Sequence, residues 1–300
     1  MLLSVAACGR TDGVALAASG PPPDPGGAQS TEGSFPTSVV DGLGRTVTIA
    51  REPRRIVSLL PSHTEMLFAL GAFDRVIGVD DFSDYPPEAT KLPRLGDLYT
   101  VRTELLLSSK PDLVLASDFS PGVPTMAGAG LTVWAGSPRT VEDVCRVATT
   151  LGALIGRTAA ARALCERVDR DILAVEQSAR SATRKRVYYE LDATPYAVGP
   201  RSFIGELLAK AGGDNVVPAE LGDFPKVSPE LIAAADPEVI LGAPLEEIAR
   251  RPGWEHLTAV QTKRVFALAP EERAVVVRPG PRLAEGLSVL VRKLHAEAAP

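Results

Sequence analysis

The sequence lacks the residue patterns of most catalytic and metal-binding proteins. Its 300 residues include only three cysteines and three histidines. It contains no paired-cysteine motif, no H-x-x-x-H, no G-x-S-x-G and no Walker-type glycine loop. The histidines, His63, His256 and His295, are far apart in the chain. These absences argue against a structural zinc site, a serine hydrolase and a P-loop enzyme.

Two further absences concern membranes and nucleic acid. No run approaches the ~20 consecutive apolar residues of a membrane span, so we do not expect the folded part to cross a bilayer. The net charge is −5 and the basic residues form no stripe, which argues against binding of nucleic acid through its phosphates. With 45% hydrophobic and 23% charged residues the chain has a globular composition, and its length favours two domains.

The N-terminus predicts a lipid anchor and a tether. Residues 1–8, MLLSVAAC, resemble a bacterial lipobox, in which small residues precede a cysteine that receives lipid. The basic region that usually opens a signal peptide is missing and the apolar run is short, which suggests a truncated or late-placed start. We predict lipid attachment at Cys8. Residues 9–37, rich in Gly, Pro and Ser, are predicted to form a disordered tether.

Short apolar runs alternate with helical patterns through the rest of the chain. A hairpin signal covers 37–49. Strands are predicted in an N-terminal lobe (38–138) at 55–61, 75–79, 112–117 and 131–136, and in a C-terminal lobe (184–300) at 186–192, 215–217, 238–243 and 264–269. Uninterrupted apolar strands between helices indicate parallel sheets covered on both faces. We therefore predict two α/β lobes.

The segment 139–183, which contains no proline, is predicted to join the lobes. Its apolar residues recur at helical intervals, and they indicate a break near Gly156 followed by a long helix over about 157–182. Cys145 and Cys165 both fall in these helical patterns. Spacing alone leaves open whether they form a disulfide or are two buried hydrophobic residues.

An internal repeat supports the duplication of the lobes. TELLLSSKPDLVLAS (103–117) aligns without a gap on PELIAAADPEVILGA (229–243), and each contains Glu-x6-Pro. The pattern predicts, in each lobe, a short helix that begins near Glu104 or Glu230 and leads into a buried strand.

The first strand is followed by the helix-start sequence Ser62-His63-Thr64-Glu65. Ser62 with Glu65 three residues later predicts a capping box. His63 lies where a parallel sheet has the carboxyl ends of its strands, the usual ligand-binding edge. Ser62 and His63 are both candidate ligand contacts, and for His63 the alternative is a partly exposed helix-start residue.

Aromatic residues are concentrated in predicted loops. Of fifteen, seven follow strands: Phe82, Tyr85, Tyr99, Phe119, Tyr196, Phe203 and Phe224. Rings on both lobes would suit a large, flat or partly apolar ligand in a cleft between them, although any one ring could simply pack its loop. Arg201 and Arg282 lie in similar loops and could meet an anionic ligand edge or remain solvated.

Several stretches together resemble one family. RRIVSLLPSHTEMLFALGAFDRVIGVDDFSDYPPEA, KLPRLGD, KPDLVLAS and VRPGPRLAEGL are similar to the helix-linked substrate-binding proteins of bacterial ABC importers for cobalamin, iron siderophores and haem. The resemblance covers about 38–297, and FSDYPP (82–87) is most similar to the vitamin B12-binding members. It implies two α/β lobes bridged by a rigid helix, a shallow cleft and little closure on binding.

The resemblance also implies roles for individual residues. Phe82 and Phe224 would be ring contacts, and Arg282 would lie near the amide rim of a corrinoid. The loops near 98 and 117 lack the tryptophans of the B12-binding members. This departure leaves another corrinoid, a haem or a ferric siderophore open as the ligand.

The two repeated glutamates acquire a role from the same resemblance. In the family one surface glutamate on each lobe docks onto arginines of the two permease subunits, and Glu104 and Glu230 match those positions. A homodimeric permease presents two identical sites, so a monomer can address both only with the same group on two similar lobes. Helix capping is the alternative, because the N-terminal end of a helix favours a carboxylate.

The resulting hypothesis is a monomeric lipoprotein outside the cytoplasm that delivers a metal chelate to a permease dimer with ATPase subunits. It would need no cofactor and hold no metal of its own. The rival hypothesis is a chelatase-like enzyme acting on tetrapyrroles, for which His63 with Glu65 is the local candidate pair.

Overall fold

The first lobe is built on short apolar segments that pair in parallel. The computed structural model describes residues 34–192, 194 and 196–296. A hairpin of β1 (Thr37–Val40) and β2 (Thr46–Ile49) precedes a sheet of β3 (Ile56–Ser58), β4 (Val76–Val79), β5 (Leu113–Ala116) and β6 (Val133–Ala135). The sheet is parallel in the order β4-β3-β5-β6. All residues of β3, β5 and β6 are buried, as in sheets covered on both faces.

The second lobe repeats this arrangement. Its strands are β7 (Lys185–Tyr189), β8 (Gly213–Asn215), β9 (Val239–Leu241) and β10 (Val265–Phe266), parallel in the order β8-β7-β9-β10. In both sheets the first strand pairs with the second on one side and the third on the other. The predicted pair of α/β lobes is confirmed. The strand predicted over 215–217 forms instead over Gly213–Asn215, because that segment pairs with the start of β7.

Helices cover the sheets and connect the lobes. They are α1 (Pro61–Ala69), α2 (Thr103–Ser108), α3 (Val123–Gly128), α4 (Val141–Leu154), α5 (Thr158–Ala179), α6 (Phe203–Lys210), α7 (Pro229–Ala235), α8 (Leu245–Ile248), α9 (Thr258–Gln261), α10 (Pro270–Val277) and α11 (Leu283–His295). The predicted break between α4 and α5 occurs at Gly156, which has a φ of 70°. The 22-residue α5 is about 33 Å long and joins the two lobes as predicted.

The largest hydrophobic core is continuous from one lobe to the other. It combines buried side chains of the first lobe, the linking helices and the second lobe, including Ile56, Met66, Leu151, Leu164, Leu207 and Leu290. Each lobe also has a smaller core of its own. Because interiors are close-packed and resist shear, the shared core favours lobes that move little relative to each other.

The internal repeat forms the same set of hydrogen bonds at the base of each sheet. In the first lobe the Asp112 carboxylate accepts from the backbone N–H groups of Arg54 and Arg55 (2.9 and 3.0 Å), and the Arg55 side chain donates to the Lys110 carbonyl (3.1 Å). We call this arrangement the Arg–acid clamp. It joins the end of α2 to the start of β3, so the Pro-acidic part of the repeat has a structural role.

The second lobe has an equivalent Arg–acid clamp. Glu238 accepts from the backbone N–H of Arg186 (3.1 Å), and the Arg186 side chain donates to the Asp236 carbonyl (3.0 Å). The residues before each proline also match, since Lys110 and Asp236 both have positive φ, 48° and 42°. The repeat in sequence is therefore a repeat in backbone conformation.

Three local predictions need correction or comment. The capping box of Ser62 and Glu65 is wrong: α1 begins at Pro61 with Leu60 as its N-cap and has no side-chain cap, and Glu65 is bound by arginines instead. Cys145 and Cys165 are free thiols, and the Cys165 thiol lies 3.6 Å from the Cys145 carbonyl oxygen. Cys8 and most of the predicted tether lie outside the described residues.

Candidate ligand-binding cleft

A pocket of about 330 Å³ lies at the carboxyl edge of the first sheet. It is lined by Leu59, Leu60, Pro61, Asp80, Phe82, Asp97, Leu98 and Tyr99. These residues follow β3 and β4 or belong to the loop before α2. The pocket therefore occupies the edge where open parallel sheets bind ligands.

Residues 80–85, which we call the cleft loop, are held from beneath by hydrogen bonds within the first lobe. The Asp80 carboxylate accepts from the Phe82 backbone N–H (2.7 Å) and the Ser83 hydroxyl (2.6 Å). Burial raises the pKa of Asp80, although both of these hydrogen bonds lower it. Arg94 donates to the carbonyls of Asp80 and Ser83, each at 2.7 Å. The result is a tight turn that presents the Phe82 ring.

Most of the predicted aromatic contacts are exposed in loops. The exposed fractions are 65% for Phe82, 74% for Tyr99, 58% for Phe119, 43% for Tyr196 and 52% for Phe224. Exposed rings of this size have a large apolar area to bury against a partner. Their placement fits the proposed contact role, which stays a prediction.

Two loops of the second lobe, which carry Tyr196 and Phe224, pair with each other. Tyr196 and Lys226 form an antiparallel bridge, and Gly199 N–H donates to the Asp223 carbonyl (2.8 Å). The loops approach so closely that a Cβ on Gly199 would lie 1.9 Å from the Gly222 oxygen. Glycine is required at this contact, which supports the segment that carries Phe224.

The Phe119 ring is braced by a cation. The Arg139 guanidinium lies 4.5 Å from the ring centroid and forms an ion pair with Asp118 at 2.6 Å. The ring thus has one face against a charge that is already paired. Arg201, the other loop cation predicted at the site, is exposed, and its guanidinium donates to the Ala219 carbonyl at 2.6 Å.

Three predicted ligand contacts are buried. Ser62, His63 and Phe203 are 2%, 0% and 5% exposed. Phe203 begins α6 and packs into the shared core. The His63 ring lies 5.5 Å from the Trp134 ring, and burial lowers its pKa to about 4 against the weaker raising effects of Gly136 and Asp118. Without exposed area, these side chains do not fit the role of ligand contacts in this conformation.

Charged residues of both lobes meet beside the cleft loop. The Glu65 carboxylate, 2% exposed, accepts from Arg282 Nε (3.0 Å) and Nη2 (2.6 Å) and from Arg278 Nη1 (3.3 Å). Arg278 also forms an ion pair with Asp84 at 2.5 Å. Glu65, Asp84, Arg278 and Arg282 are called the inter-lobe ion cluster below. Two acids of the first lobe are thereby neutralised by two arginines of the second.

The role expected for Arg282 as a ligand contact stays a prediction, and the structure shows what surrounds the side chain. Its guanidinium is bound by Glu65 and stacks 3.9 Å from the centroid of Tyr85, which is half-buried. The guanidinium is therefore already paired within the protein, and the Arg282 side chain is 18% exposed. Sequence reasoning missed Arg278 and misread Glu65, although an acidic side chain within the apolar helix SHTEMLFAL was a signal that a cationic partner is needed.

The repeated glutamates are exposed, one on each lobe. Glu104 and Glu230 lie in the first turns of α2 and α7. Because each helix runs opposite to its parallel strands, its N-terminus lies at the carboxyl edge of the sheet. The start of α2 is tied to the cleft loop by the Arg102–Asp81 ion pair at 3.2 Å. Each glutamate therefore lies at the carboxyl edge of the sheet of its own lobe.

The described part of the chain lacks two kinds of feature. Within residues 34–192, 194 and 196–296, no three His, Cys, Asp or Glu side chains are grouped so as to hold a metal ion. Among the helices of these same ranges, none has the length and apolar character needed to cross a membrane.

Comparison with known proteins gives a consistent picture. The family model described as periplasmic binding protein matches residues 56–272. The uncharacterized ABC transporter substrate-binding lipoprotein YvrC of Bacillus subtilis (strain 168) is 30% identical, over 95% of this chain and 94% of that protein. A cobalamin-binding protein of Halobacterium salinarum (strain ATCC 29341 / DSM 671 / R1) is 29% identical, over 87% and 75%. The apo structure of the periplasmic heme-binding protein RhuT from Roseiflexus sp. RS-1 is 27% identical with a TM-score of 0.70, covering 82% of this chain and 99% of that one.

Proposed function

Since this chain belongs to the periplasmic binding protein family, we propose that it is the substrate-binding component of an ABC importer for a metal chelate. The class comprises cobalamin and other corrinoids, haem and ferric siderophores. The observation that carries the proposal is the set of exposed rings on loops of both lobes, at the carboxyl edges of two parallel sheets.

The physical case rests on the kind of surface that these rings offer. Phe82 and Tyr99 flank a pocket of about 330 Å³ in the first lobe, and Phe224 is exposed on the second. Aromatic side chains give a large contact area with few rotatable bonds, so little entropy is lost when a ligand orders them. A broad, partly apolar chelate could contact both lobes at once.

A corrinoid is the first ligand to test. The FSDYPP segment (82–87) resembles vitamin B12-binding proteins, and one relative described above is named as cobalamin-binding. Haem is the second candidate, because the solved relative at 27% identity is named as heme-binding. A ferric siderophore remains the third.

Titration of the purified protein with cyanocobalamin, cobinamide, haemin and several ferric siderophores tests the proposal. Binding of one of them with a Kd below roughly 10 μM, about −7 kcal/mol, is expected by calorimetry. The assignment to this ligand class fails if none binds. Incubation with a porphyrin and a divalent metal, followed by absorbance, tests the chelatase alternative, and turnover there would overturn the receptor proposal.

Ring variants locate the binding surface. Phe82→Ala and Phe224→Ala should each weaken binding of that ligand roughly tenfold, because a buried aromatic contact is lost. Leu173→Ala is the matched control, since Leu173 is 53% exposed on α5, in the segment that links the lobes. Equal effects of the control and the ring variants would contradict the cleft assignment.

We further propose that Glu104 and Glu230 dock onto basic residues of the two permease subunits, with ATPase subunits completing the importer. Support comes from their exposure, their matching places in two similar lobes and the twofold symmetry that a homodimeric partner would have. A carboxylate at each site would find a charge-assisted hydrogen bond to arginine.

Charge reversal tests the docking proposal. The double variant Glu104→Arg/Glu230→Arg should lose permease binding while keeping ligand affinity. The control is Glu166→Arg/Asp171→Arg, which makes the same change of charge at exposed positions of α5. Docking is wrong if both double variants bind the permease as the unchanged protein does.

The location of the protein is proposed to be outside the cytoplasm, on a lipid anchor at Cys8. The lipobox-like residues 1–8 and the relative that is named as a lipoprotein support this. Mass spectrometry of protein isolated from its membrane should find acyl groups on Cys8, and Cys8→Ser should release the protein from the membrane. Unmodified Cys8 in the membrane-bound protein would refute the anchor.

A further inference from the structure

The cleft loop is fixed from two sides by different lobes. Within the first lobe, Asp80 accepts from the Phe82 backbone N–H at 2.7 Å. From the second lobe, Arg278 Nη2 donates to the Phe82 carbonyl oxygen at 3.1 Å. Both peptide groups around Phe82 are therefore bound, while its ring is 65% exposed. The direction of this ring depends on contacts that its own side chain does not make.

The planar guanidinium of Arg278 contacts several groups of the first lobe at once. Its Nη1 lies 2.5 Å from Asp84 Oδ1 and 3.3 Å from Glu65 Oε1, and its Nη2 lies 3.1 Å from Asp84 Oδ2 as well as from the Phe82 oxygen. The side chain is only 15% exposed, so these contacts are partly shielded from water. An arginine fork can bridge a carboxylate bidentately, which a lysine cannot do.

The segment that carries Arg278 is itself rigidly seated on the first lobe. It reads Arg-Pro-Gly-Pro-Arg over 278–282, between α10 and α11, and its prolines restrict the backbone. A Cβ on Gly280 would lie 3.3 Å from Glu65 Oε2 and 3.7 Å from Ser62 Cα. The backbone at Gly280 of the second lobe thus packs closely against the start of α1, and this places Arg278 beside the cleft loop.

Glu65 and Asp84 depend on different arginines. Arg282 gives Glu65 two hydrogen bonds, so Glu65 keeps a partner if Arg278 is removed. Among the hydrogen bonds of the described residues, Arg278 is the side chain that donates to Asp84 and to the Phe82 carbonyl. Neither acceptor has, among these residues, a second arginine that would replace it. Loss of Arg278 should therefore release the cleft loop without leaving Glu65 uncompensated.

We propose that Arg278 is a positioning residue of the cleft, which holds the first-lobe loop bearing Phe82 from the second lobe. The geometry of the ligand-binding surface then depends on an inter-lobe contact rather than on the first lobe alone. The consequence for ligand affinity rests on the proposed function, whereas the fixing of the loop does not.

Hydrogen exchange of the ligand-free protein, followed by mass spectrometry, tests the fixing of the loop. In Arg278→Met, peptides that cover 80–85 should exchange roughly tenfold faster, the effect of losing about one charge-assisted hydrogen bond. Arg278→Lys should give a smaller increase, because the charge is kept and the fork is lost. Arg250→Met is the control, an exposed arginine elsewhere in the second lobe. Exchange of 80–85 that is unchanged in Arg278→Met would overturn the proposal.

A double-variant cycle separates a specific contact from a general loosening. Asp84→Asn removes the first-lobe carboxylate that Arg278 binds, and it should also speed exchange of 80–85. In Arg278→Met/Asp84→Asn the increase should be smaller than the product of the two single increases. Independent, multiplicative effects would contradict a direct contact.

Ligand kinetics test the consequence for binding. For whichever of cyanocobalamin, cobinamide, haemin or the ferric siderophores binds the unchanged protein, Arg278→Met should raise Kd roughly fivefold to tenfold, mainly through faster dissociation. A faster-exchanging loop with an unchanged Kd would refute the positioning role. If none of these compounds binds the unchanged protein, the proposed function fails, and hydrogen exchange still decides whether Arg278 fixes the loop.

Discussion

The two lobes are alike at the base of their sheets and different at the cleft. At the base, both use an Arg–acid clamp, built on Arg55 with Asp112 in one lobe and Arg186 with Glu238 in the other. At the cleft, each lobe buries a carboxylate that is bound by arginine, but the arginine comes from the same lobe in one case and from the other lobe in the other. The Arg–acid clamps stabilise the base of both sheets in the same way. The lobes differ at the opposite edge, where the ligand is proposed to bind.

The buried carboxylate of the second lobe is satisfied from within. Glu190, 1% exposed, accepts from Arg251 Nη1 (2.6 Å), Arg251 Nη2 (2.7 Å) and the Tyr188 hydroxyl (3.1 Å). The buried carboxylate of the first lobe, Glu65, instead depends on arginines of the second lobe. The Glu190–Arg251 pair is thus self-contained within the second lobe, whereas Glu65 is paired across the two lobes.

The largest expected effect comes from breaking the self-contained pair. Arg251→Met leaves Glu190 with only the Tyr188 hydroxyl, and removal of one partner of a buried pair costs about 3–5 kcal/mol. Because the Arg251 side chain is 22% exposed, we expect a loss of about 3 kcal/mol in the free energy of unfolding. Arg282→Met should cost about half as much, since Glu65 retains Arg278. Denaturant titration followed by circular dichroism measures both.

The reason for this ranking can be checked with a second substitution. If the cost of Arg251→Met arises from an uncompensated buried charge, Glu190→Gln in the same chain should recover part of the lost stability. A double variant that is less stable than Arg251→Met would show that the charge of Glu190 is not the cause.

A buried, unpaired histidine distinguishes the first lobe further. Both ring nitrogens of His63 lack a hydrogen-bond partner among the described residues, and burial lowers its pKa to about 4 from 6.5. His63 therefore binds a proton more readily in the unfolded chain than in the folded one. Its contribution to stability is fully present above pH 6.5 and is lost as the pH falls toward 4. The pKa shift sets an upper limit of about 3 kcal/mol on this loss.

Replacement of His63 by an apolar ring tests this source of acid sensitivity. His63→Phe should lose less stability than the unchanged protein between pH 6.5 and 4, as measured by denaturant titration at each pH. His256→Gln is the matched control, because the His256 side chain is 83% exposed. Identical pH profiles for the unchanged protein and His63→Phe would refute the assignment to His63.

The sequence predicted the parts of this comparison that depend on local pattern. The parallel sheets followed from apolar runs between helices, and the duplication followed from the repeat at 103–117 and 229–243. The cleft was predicted less well. An acidic residue within an apolar helix indicates that a cationic partner is needed, but no local pattern identifies that partner when it lies 213 or 217 residues away in the chain. Glu65 looked like a capping residue by its spacing from Ser62, whereas its partners come from the other lobe.

The exposed aromatic residues show the same limit. A ring that follows a strand can point outward, as Phe82 does, or can begin a helix and enter the core, as Phe203 does. Ser202 caps that helix by accepting from Gly205 N–H at 3.1 Å, which makes Phe203 the first helical residue. Ser202 followed by an apolar run was the available signal for this outcome.

The Arg–acid clamps predict a smaller effect that should be similar in both lobes. Asp112→Asn weakens the acceptor of two backbone N–H groups, and Glu238→Gln weakens the equivalent acceptor in the second lobe. Each acid is partly exposed, so we expect each change to cost about 1 kcal/mol in the free energy of unfolding. A difference of more than about 2 kcal/mol between the two variants in denaturant titration would contradict their equivalence.

The residues that precede the paired prolines should respond in opposite directions to the same change. Lys110 and Asp236 both have left-handed backbone, with φ of 48° and 42°, a conformation that glycine adopts at little cost. The Lys110 side chain is exposed, so Lys110→Gly should raise the free energy of unfolding by about 0.5–1 kcal/mol.

Asp236→Gly should instead lower stability by about 1 kcal/mol, because the relief of strain is outweighed by two lost hydrogen bonds of about 1 kcal/mol each. Its carboxylate accepts from the Thr258 N–H and hydroxyl, both at 2.7 Å, and so fixes the start of α9. Thermal and denaturant unfolding of the two glycine variants measure the contrast. If both glycine variants were more stable than the unchanged protein, the hydrogen bonds of the Asp236 carboxylate would contribute less to stability than the relief of backbone strain. The two lobes would then be equivalent at this position as well.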